Sequence, residues 1–568
     1  MMILLLVAEL FFTLVIGIYF FNLLKSQRTS KIVINKESKN EMDNLNALRK
    51  IKLTVPLTEK SRPKNFDEII GQEKGIKALR AAICGPNPQN IIIYGPPGIG
   101  KTAAARLVLE DAKGIYYSPF NKDAKFVEID ATTVRFDDRG IADPLIGSVH
   151  DPIYQGAGAL GVAGIPQPKP GAVTKAHGGI LFIDEIGELH PTEMNKLLKV
   201  LEDRKVFFDS SYYNSNDKNM PNYIKEVFEN GLPADFRLIG ATTRRPEELC
   251  PALRSRCVEI FFKPLQSEEI KKIALNSVNK VGTKIEKKAL EMVSMYSNNG
   301  RDAVNLIQLA FGIALNEKRD KITIQDIEWV IENGEYSPKI DKKINATPQI
   351  GYVNGLAVYG PNMGAVMEIE ASAIRVLNKK GNIKVTGIVD EEEIKSANGK
   401  IIRKSNARCS VENVMTMLQK KFNLACDDYD IHVNFPGGIP VDGPSAGISI
   451  ATAIFSAIKE MYVDNKIAMT GEISLYGKVR PIGGVKAKID AAIKAGANTI
   501  IIPKENWQEN FKKIKGAKIL PVSSINEVFN FAFVNNKQTE KILIGTQAEV
   551  LLADNEKTSN KNYNQVYS

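Results

Sequence analysis

The chain has 568 residues, of which 44% are hydrophobic and 25% are charged. At about 150 residues per domain, this length predicts three or four domains with buried cores, and its ordinary Gly and Pro content excludes collagen-like, mucin-like and wholly disordered proteins. Five cysteines without a C-x-x-C pair exclude a disulfide framework and a zinc cluster, which indicates a reducing compartment. The formal net charge is +10, and half of this excess lies between residues 25 and 60, with nine Lys/Arg against four Asp/Glu.

The N-terminus carries a candidate transmembrane segment. Sixteen of the 22 residues from Ile3 to Leu24 are Ile, Leu, Val or Phe, and about 20 apolar residues are enough to cross a bilayer. Their gain of roughly 5 to 10 kcal/mol exceeds the cost of about 3 kcal/mol for a central Glu9. The first positive side chains follow within residues 25–31, so the positive-inside rule predicts the rest of the chain in the cytoplasm. A buried core helix is the alternative for the segment.

A short apolar run leads directly into a glycine-rich loop. Ile91 to Tyr94 has strand character and is followed by Gly95-Pro96-Pro97-Gly98-Ile99-Gly100-Lys101-Thr102 and then by a helix-like segment. Glycines let backbone N–H groups approach phosphate oxygens, the lysine reaches the β- and γ-phosphates, and the threonine hydroxyl holds Mg²⁺. The pattern predicts a site for ATP and Mg²⁺ that uses Lys101 and Thr102 in these roles.

Two further apolar runs end in polar residues. The run from Gly179 to Ile183 is followed by Asp184 and Glu185, which places two carboxylates at the C-terminal edge of a buried strand, where ligands of α/β sheets bind. We expect Asp184 to bind Mg²⁺ and Glu185 to orient the attacking water. The next run ends at Thr242 and Thr243. Thr243 is the candidate sensor of the γ-phosphate, with Thr242 as the alternative.

These segments, together with the stretch from Pro251 to Cys257, resemble the AAA+ ATPase family, whose members form rings. In that family an arginine near the end of the last motif reaches the γ-phosphate of the neighbouring subunit and neutralises charge in the transition state. By this resemblance Arg256 is the candidate arginine finger, with Arg254 as the alternative.

A helical pattern from Ser267 to Gly334 predicts a lid over the nucleotide. Within it, Arg301 resembles the second sensor arginine of the family, which contacts nucleotide from the lid. The Gly- and Pro-rich stretch from Gly140 to Gly179 predicts a functional loop because connections of that length are uncommon. Tyr154 in this stretch is a candidate for gripping polypeptide in a central pore. Its packing against the subunit surface is the alternative.

The C-terminal half contains a candidate nucleophile. Ser445 stands three residues after Asp442, at the entrance of an apolar run of helix length, where serine commonly serves as an N-cap. A serine nucleophile needs a base, and His432 is the only histidine in the sequence of this half, which disfavours a Ser-His-Asp triad. A desolvated lysine is the alternative base, and Lys486 and Lys488 both lie among apolar residues.

The segments Asp442–Gly447, Thr470–Leu475 and Pro481–Lys488 resemble the proteolytic domain of Lon proteases, which uses a Ser-Lys dyad. By motif position, the resemblance implies Ser445 as the nucleophile and Lys488 as the base. It also implies that Thr470 orients the dyad, that Asp442 matches the acid before the serine, and that Lys486 faces elsewhere. Backbone N–H groups at the start of the serine helix are expected to stabilise the oxyanion.

The resemblance extends from Arg62 to about Phe533 and is closest to the membrane-anchored B-type branch. An apolar anchor and a short basic linker take the place of the large N-terminal substrate-binding domain of A-type enzymes. The stretch Phe435–Pro440 and the insertion from Gly140 to Gly179 also depart from the A-type pattern. These departures concern substrate choice rather than the chemistry of the dyad.

The predicted fold class is α/β: an AAA+ P-loop ATPase with a parallel sheet and a helical lid, then an α+β Lon-type proteolytic domain, with one N-terminal transmembrane helix. The expected order is a transmembrane anchor (1–24), a basic juxtamembrane linker (25–61), the ATPase domain (62–264), the lid (265–336), a linker (337–350), the proteolytic domain (351–536) and a polar tail (537–568).

The predicted function is an ATP-dependent serine endopeptidase that unfolds and degrades cytosolic polypeptides. A homo-oligomer is expected, a hexamer by hypothesis, at the cell membrane with most of the chain in the cytoplasm. One alternative is an AAA+ DNA-processing motor with a Lon-like domain. The absence of a basic, aromatic-interleaved stretch beyond residue 60 disfavours nucleic acid as a partner. The other alternative is a membrane-bound ATP-dependent chaperone without cleavage.

Overall fold

The computed structural model describes residues 16–17, 19–21, 42–51, 53–134, 143–150, 166–210, 213–215, 220–339, 343–345, 347–359, 363–376, 381–387, 392–396, 399–403, 406–436 and 444–534. The chain divides into two compact units, Met1–Ser61 and Arg62–Ser568.

The first unit contains helical residues at 16–17 and 19–21, a helix over 42–50 and a one-turn helix, Leu57–Lys60. Residues 16 and 19–21 have large hydrophobic side chains that are each more than half exposed. Most of the predicted anchor, residues 3–24, lies outside the described residues. Within the ranges given above, no helix is both long enough and apolar enough to cross a membrane.

The second unit begins with a parallel sheet covered by helices. Its strands and hairpins are β1 (Ile91–Tyr94), β2 (Phe126–Asp130), β3 (Gly147–His150), β4 (Gln167–Pro170), β5 (Ile180–Asp184), β6 (Lys205–Val206), β7 (Leu232–Pro233), β8 (Arg237–Thr242) and β9 (Val258–Phe261). The helices are α1 (Glu73–Ile83), α2 (Lys101–Lys113), α3 (Ala172–Lys175), α4 (Pro191–Asp203), α5 (Asn222–Asn230) and α6 (Pro251–Arg254). All residues of β1 are fully buried, as expected for a parallel sheet that is covered on both faces.

The strand order of this sheet creates the nucleotide crevice. The order is β2-β5-β8-β1-β9 and all neighbouring pairs are parallel. Because β8 lies between β1 and β5, the segments that follow these three strands meet at one carboxyl edge, where α/β sheets bind ligands. The prediction of an α/β fold with a parallel sheet is confirmed.

Helices follow this sheet along the chain: α7 (Ser267–Val281), α8 (Lys287–Tyr296), α9 (Gly300–Asn316) and α10 (Ile324–Asn333), with the short strands β10 (Lys284–Ile285) and β11 (Lys321–Ile322) between them. The Asn299 side chain caps α9 by accepting a hydrogen bond from the Asp302 N–H at 3.0 Å. A capping box of Thr323 and Asp326 begins α10, as the sequence predicts.

A second, mixed sheet forms the C-terminal half. Its strands and the hairpins beside it are β12 (Gln349–Ile350), β13 (Tyr352–Tyr359), β14 (Met363–Arg375), β15 (Ile383–Gly387), β16 (Glu392–Ser396), β17 (Gly399–Arg403), β18 (Tyr429–Phe435), β19 (Tyr462–Val463), β20 (Ile467–Met469), β21 (Glu472–Ile473), β22 (Val479–Arg480), β23 (Thr499–Pro503) and β24 (Lys518–Val522). The helices are α11 (Asn406–Phe422), α12 (Gly447–Lys459), α13 (Val485–Lys494) and α14 (Ile525–Ala532).

The order of this sheet is β15-β18-β14-β13-β20-β23-β24. Alternate residues of its strands point to opposite faces. Ile431 and Val433 pack with α11, α12 and α14 in one core, whereas Leu356 and Val366 pack with α13 in another. The sheet therefore separates α12, which follows Ser445, from α13, which carries Lys488.

Candidate active sites

The phosphate loop has the backbone conformation that its glycines predict. Gly98 has φ +70° and Gly100 has φ +95°, both in the left-handed region that residues with a Cβ rarely adopt. Gly100 stands at the N-cap of α2, so the first N–H groups of a 13-residue helix point toward the loop. Such a helix N-terminus favours bound phosphate.

Lys101 lies inside the loop and is only 7% exposed. Its Nζ donates to the carbonyl oxygens of Gly95 at 2.5 Å and Pro96 at 3.1 Å. Burial lowers the pKa of Lys101, and the negative charges of Glu185 and Asp184 oppose that shift. The loop therefore holds an amine beside two carboxylates at the carboxyl edge of the sheet.

Asp184 and Thr102 offer the ligand types that Mg²⁺ prefers, a carboxylate and a hydroxyl oxygen. Asp184 ends β5 and Thr102 lies in the first turn of α2. Burial raises the pKa of Asp184, the Lys101 ammonium lowers it, and Glu185 raises it further. A divalent cation bound there would favour the ionised carboxylate. These residues fit a nucleotide with its magnesium ion.

Glu185 is held in a defined orientation. Its backbone has φ +47°, which is uncommon for a residue with a Cβ. One carboxylate oxygen, Oε2, accepts hydrogen bonds from the N–H and the hydroxyl of Thr243, both at 3.0 Å. Thr242 is fully buried, and its hydroxyl accepts from the Arg244 N–H at 3.0 Å. Of the two candidate sensors, Thr243 is therefore the one in contact with Glu185.

The start of α9 lies against the phosphate loop. The Gly300 N–H donates to the Gly98 carbonyl at 3.1 Å. A Cβ at Gly98 would come within 2.6 Å of Asn299 Oδ1 and 3.2 Å of Arg301 Cβ. The structure thus brings Arg301 beside the loop, and it adds Asn299, which the sequence analysis did not identify as a site residue. The signal available for Asn299 was its N-cap position before a helix.

The two candidate finger arginines lie at the opposite edge of the sheet. Both precede β9, near the first residues of β1, at the amino edge. Arg254 donates to Glu259 Oε1 at 2.7 Å, and the same oxygen accepts from the Tyr94 hydroxyl. Arg256 is more peripheral, with the Ala252 carbonyl and the Glu202 carboxylate as partners. Arg256 stands at the amino edge of a four-residue strand that is about 13 Å long, and so lies away from the phosphate loop of its own chain.

Arg256 also lines a cleft of about 430 Å³ at that amino edge. The cleft contains Arg204 and Arg237 as well, together with Asp235. Arg237 donates to Asp235 at 2.9 Å. The cleft thus lies at the edge of the sheet opposite the nucleotide crevice.

In the C-terminal half, Ser445 lies in a 3₁₀ turn, Pro444–Ala446, that runs into α12. The N-cap of α12 is Ala446, and no side chain caps it. The alternative in which Ser445 is an N-cap is therefore wrong. The turn is fixed through the Ser445 carbonyl oxygen, which accepts from the Gly471 N–H at 2.9 Å and the Thr470 hydroxyl at 3.1 Å.

Lys488 approaches the serine turn from α13, which lies on the other face of the sheet. Its Nζ donates to Thr470 Oγ1 at 3.1 Å, and the residue is 2% exposed. Burial lowers the pKa of Lys488 to about 8. Lys486, two residues earlier, is exposed. Of the two candidate lysines, only Lys488 is buried and in contact with the threonine that holds the serine turn.

Other candidates do not join this site. His432 lies in β18, and its Nε2 is 2.8 Å from the hydroxyl of Thr386. Asp442 and Tyr154 fall outside the described residues, so their predicted roles stay predictions.

Together, the crevice of the first sheet and the serine turn of the second sheet define a P-loop ATPase joined to a domain in which Thr470 links a buried lysine to the turn that carries a serine. Residues 321–535 match the family model described as the Lon protease (S16) C-terminal proteolytic domain, and residues 65–217 match the model described as magnesium chelatase, subunit ChlI.

Curated relatives agree with these matches. Over 533 residues the chain is 60% identical to Lon protease 2 of Bacillus subtilis, covering 94% of this chain and 96% of that protein. It is 30% identical over 461 residues to an archaeal Lon protease of Archaeoglobus fulgidus, covering 73% and 70% of the two chains. It is 29% identical over 447 residues to one of Thermococcus kodakarensis, covering 71% and 66%. The chain belongs to the Lon protease family.

The prediction of an ATP-dependent serine protease is confirmed. The chain is an ATP-dependent serine protease with an ATP-binding AAA+ region. The DNA-processing motor and the non-cleaving chaperone, kept as alternatives from the sequence, are disfavoured by a match to the proteolytic domain that covers Ser445 and Lys488.

Proposed function

We propose that Ser445 is the nucleophile of this protease and Lys488 its general base. The observation that carries the proposal is the buried Nζ of Lys488 bonded to Thr470 Oγ1, which in turn bonds to the Ser445 carbonyl. An alcohol needs a base to become a nucleophile. A lysine can supply that base only if burial favours its neutral amine.

In the reaction, the Ser445 hydroxyl attacks the carbonyl carbon of the scissile peptide while its proton passes to the neutral Lys488 Nζ. The resulting ammonium protonates the leaving amine, and water then hydrolyses the acyl-serine with the same lysine as base. Thr470 accepts a hydrogen bond from Nζ, which holds the amine in place and leaves its lone pair to take the serine proton. The Ile448 N–H already donates to the Gly471 carbonyl at 3.1 Å, so we assign the oxyanion contacts to the earlier N–H groups of the serine turn.

The pH dependence of cleavage tests this proposal. Because the neutral amine is the active form and burial lowers the pKa of Lys488 to about 8, kcat/KM for a fluorogenic peptide is expected to rise with pH and level off above about pH 9. The measurement is a profile at saturating ATP from about pH 6 to about pH 10. Lys486→Gln is the matched control, since it changes an exposed lysine on the same helix, and its profile should superimpose. A rate independent of pH across this range would contradict Lys488 as the base.

We also propose roles for the nucleotide crevice. ATP with Mg²⁺ would supply free energy through its hydrolysis. Lys101 would contact the β- and γ-phosphates, and Thr102 and Asp184 would hold the metal. Glu185, oriented by Thr243, positions the attacking water. We further propose that Arg301 is the sensor arginine of the lid and that Arg256 is the arginine finger for a neighbouring subunit. Tyr154 is proposed to grip polypeptide in the central pore.

We propose the domain boundaries given in the sequence analysis, a hexameric ring, and an anchor over residues 3–24 with the rest of the chain in the cytoplasm. The placement of Arg256 away from its own phosphate loop supports the ring. The composition of the anchor segment and the exposed hydrophobic side chains at 16 and 19–21 support the anchor.

Fractionation of cells that express the chain tests both the anchor and the ring. The full chain is expected in the membrane fraction, where it should resist carbonate extraction. A variant without residues 1–24 is expected in the supernatant. Light scattering of the detergent-solubilised chain with ATP should give the mass of a ring. A full chain that extracts with carbonate would contradict the anchor, and a monomer at all ATP concentrations would contradict the ring.

A further inference from the structure

An ion pair joins the phosphate-loop side of the ATPase half to the helix that carries Lys488. Lys263, which follows β9, donates from Nζ to Asp490 Oδ2 of α13 at 3.1 Å. The two residues are 227 positions apart in the chain. Neither side chain belongs to the nucleotide crevice or to the serine turn.

The Lys263 end of this contact is fixed to the floor of the phosphate loop. The amide of Gln72, which is 3% exposed, bonds Lys263 on both sides: Nε2 donates to its carbonyl at 2.7 Å, and Oε1 accepts from its N–H at 2.9 Å. The preceding residue, Phe262, donates to the Tyr94 carbonyl at 2.8 Å. Its own carbonyl oxygen lies 2.9 Å from where a Cβ of Gly95 would stand. A shift of the phosphate loop would therefore displace Lys263 as well, because the backbone of Phe262 adjoins both.

Asp490, the other member of the ion pair, lies on the helix that carries Lys488, the proposed base. Asp490 and Lys488 are two positions apart on α13, so they point to roughly opposite sides of the helix: Lys488 is buried toward the sheet and Asp490 is exposed. The helix has little freedom against the sheet, because a Cβ at Gly364 of β14 would come within 2.1 Å of the Ala487 carbonyl. The end of α13 is held by a hydrogen bond from the Ile344 N–H to the Ala495 carbonyl at 2.9 Å.

We propose that the Lys263–Asp490 ion pair is a positioning contact, which transmits the nucleotide state of the phosphate loop to α13 and thereby sets the placement of the Lys488 amine. This inference rests on the proposed role of Lys488. Coupling between two sites needs a contiguous physical connection. Gln72, Lys263, Asp490 and α13 provide one.

The test is a double-mutant cycle with Lys263→Met, Asp490→Asn and the double variant. The readouts are ATP hydrolysis, cleavage of a short fluorogenic peptide without nucleotide, and the stimulation of that cleavage by ATP. Both side chains are about half exposed, 58% and 45%, so the loss of stimulation is expected to be about two- to fivefold. ATP hydrolysis and nucleotide-free cleavage should stay within error of the wild type.

The signature of a coupling contact is non-additivity. Each single variant should lose the same stimulation, the double variant should lose no more, and Asp490→Glu, which keeps the carboxylate, should retain most of it. Glu509→Gln is the matched control, because it breaks another exposed ion pair of the same half, Lys512–Glu509 at 2.8 Å. Single variants that keep full stimulation, or losses that add in the double variant, would overturn the inference. A Lys488→Met protein that cleaves the peptide as fast as the wild type would instead refute the proposed dyad.

Discussion

The variant Ser445→Ala is expected to lose peptide and protein cleavage by at least about 10³-fold while retaining ATP hydrolysis. The reason is that the hydroxyl is the proposed attacking atom, whereas the turn that carries it is held through the backbone carbonyl of residue 445, which alanine keeps. Release of labelled peptides from casein, with phosphate release measured in the same reaction, checks both halves of the expectation.

Ser449→Ala is the matched control for this variant. Ser449 lies four residues further along, on α12, and its hydroxyl donates to the Met469 carbonyl at 3.1 Å. Its loss is expected to cost about 1 kcal/mol of unfolding free energy and to leave cleavage near the wild-type rate. A Ser445→Ala protein that cleaves as well as Ser449→Ala would remove Ser445 from the chemistry.

Lys488→Met extends the same prediction to the proposed base. Methionine has a similar length and no charge, so burying it removes a desolvation cost and leaves the unfolding free energy unchanged or higher. Cleavage is nevertheless expected to fall by about 10²- to 10⁴-fold, the usual contribution of a positioned general base. Folding and activity are thus expected to respond in opposite directions, which separates a catalytic lysine from a structural one.

The parts of the fold that the sequence predicts are those carried by local signals. The apolar run from Ile91 to Tyr94, the glycines after it and the helix that follows form a continuous segment of strand, loop and helix. The same is true of the strand that ends at Asp184. The order of the strands is not a local property. Nothing in the run that ends at Thr242 says that β8 lies between β1 and β5, yet that order brings Thr243 to Glu185.

The candidate site divides in the same way. In the sequence, only the resemblance to the Lon family distinguishes Lys488 from Lys486 as the candidate base, because both lysines lie among apolar residues. The structure separates them by burial, which depends on how α13 packs against β14. The contact from Gln72 to Lys263 spans 191 positions, and no periodicity or spacing in the sequence predicts it. Asn299 shows an N-cap pattern, but its place against Gly98 comes from the packing of α9 on the loop.

Glu185→Gln is expected to slow ATP hydrolysis by about 10²-fold or more with little change in nucleotide affinity. The glutamine carbonyl oxygen can still accept from the N–H and the hydroxyl of Thr243, so the side chain keeps its orientation. What it loses is the negative charge that, in the proposed role, polarises the attacking water. Because Lys101, Thr102 and Asp184 are unchanged, binding of a fluorescent ATP analogue should remain within a few fold of the wild type.

Glu188→Gln controls for the loss of a carboxylate nearby. Glu188 lies three residues further along and forms a bidentate ion pair with Arg244, from Nε to Oε1 and from Nη2 to Oε2, both at 2.8 Å. Both side chains are about 40% exposed, and glutamine keeps an oxygen that accepts from Arg244. ATP hydrolysis by this variant is expected to match the wild type. If Glu185 acts as proposed, Glu185→Gln should also stop the degradation of a folded protein while a short peptide is still cleaved. This follows because unfolding needs repeated ATP turnover, whereas Ser445 and Lys488 are untouched. Equal hydrolysis by the two variants would exclude Glu185 as the residue that activates water.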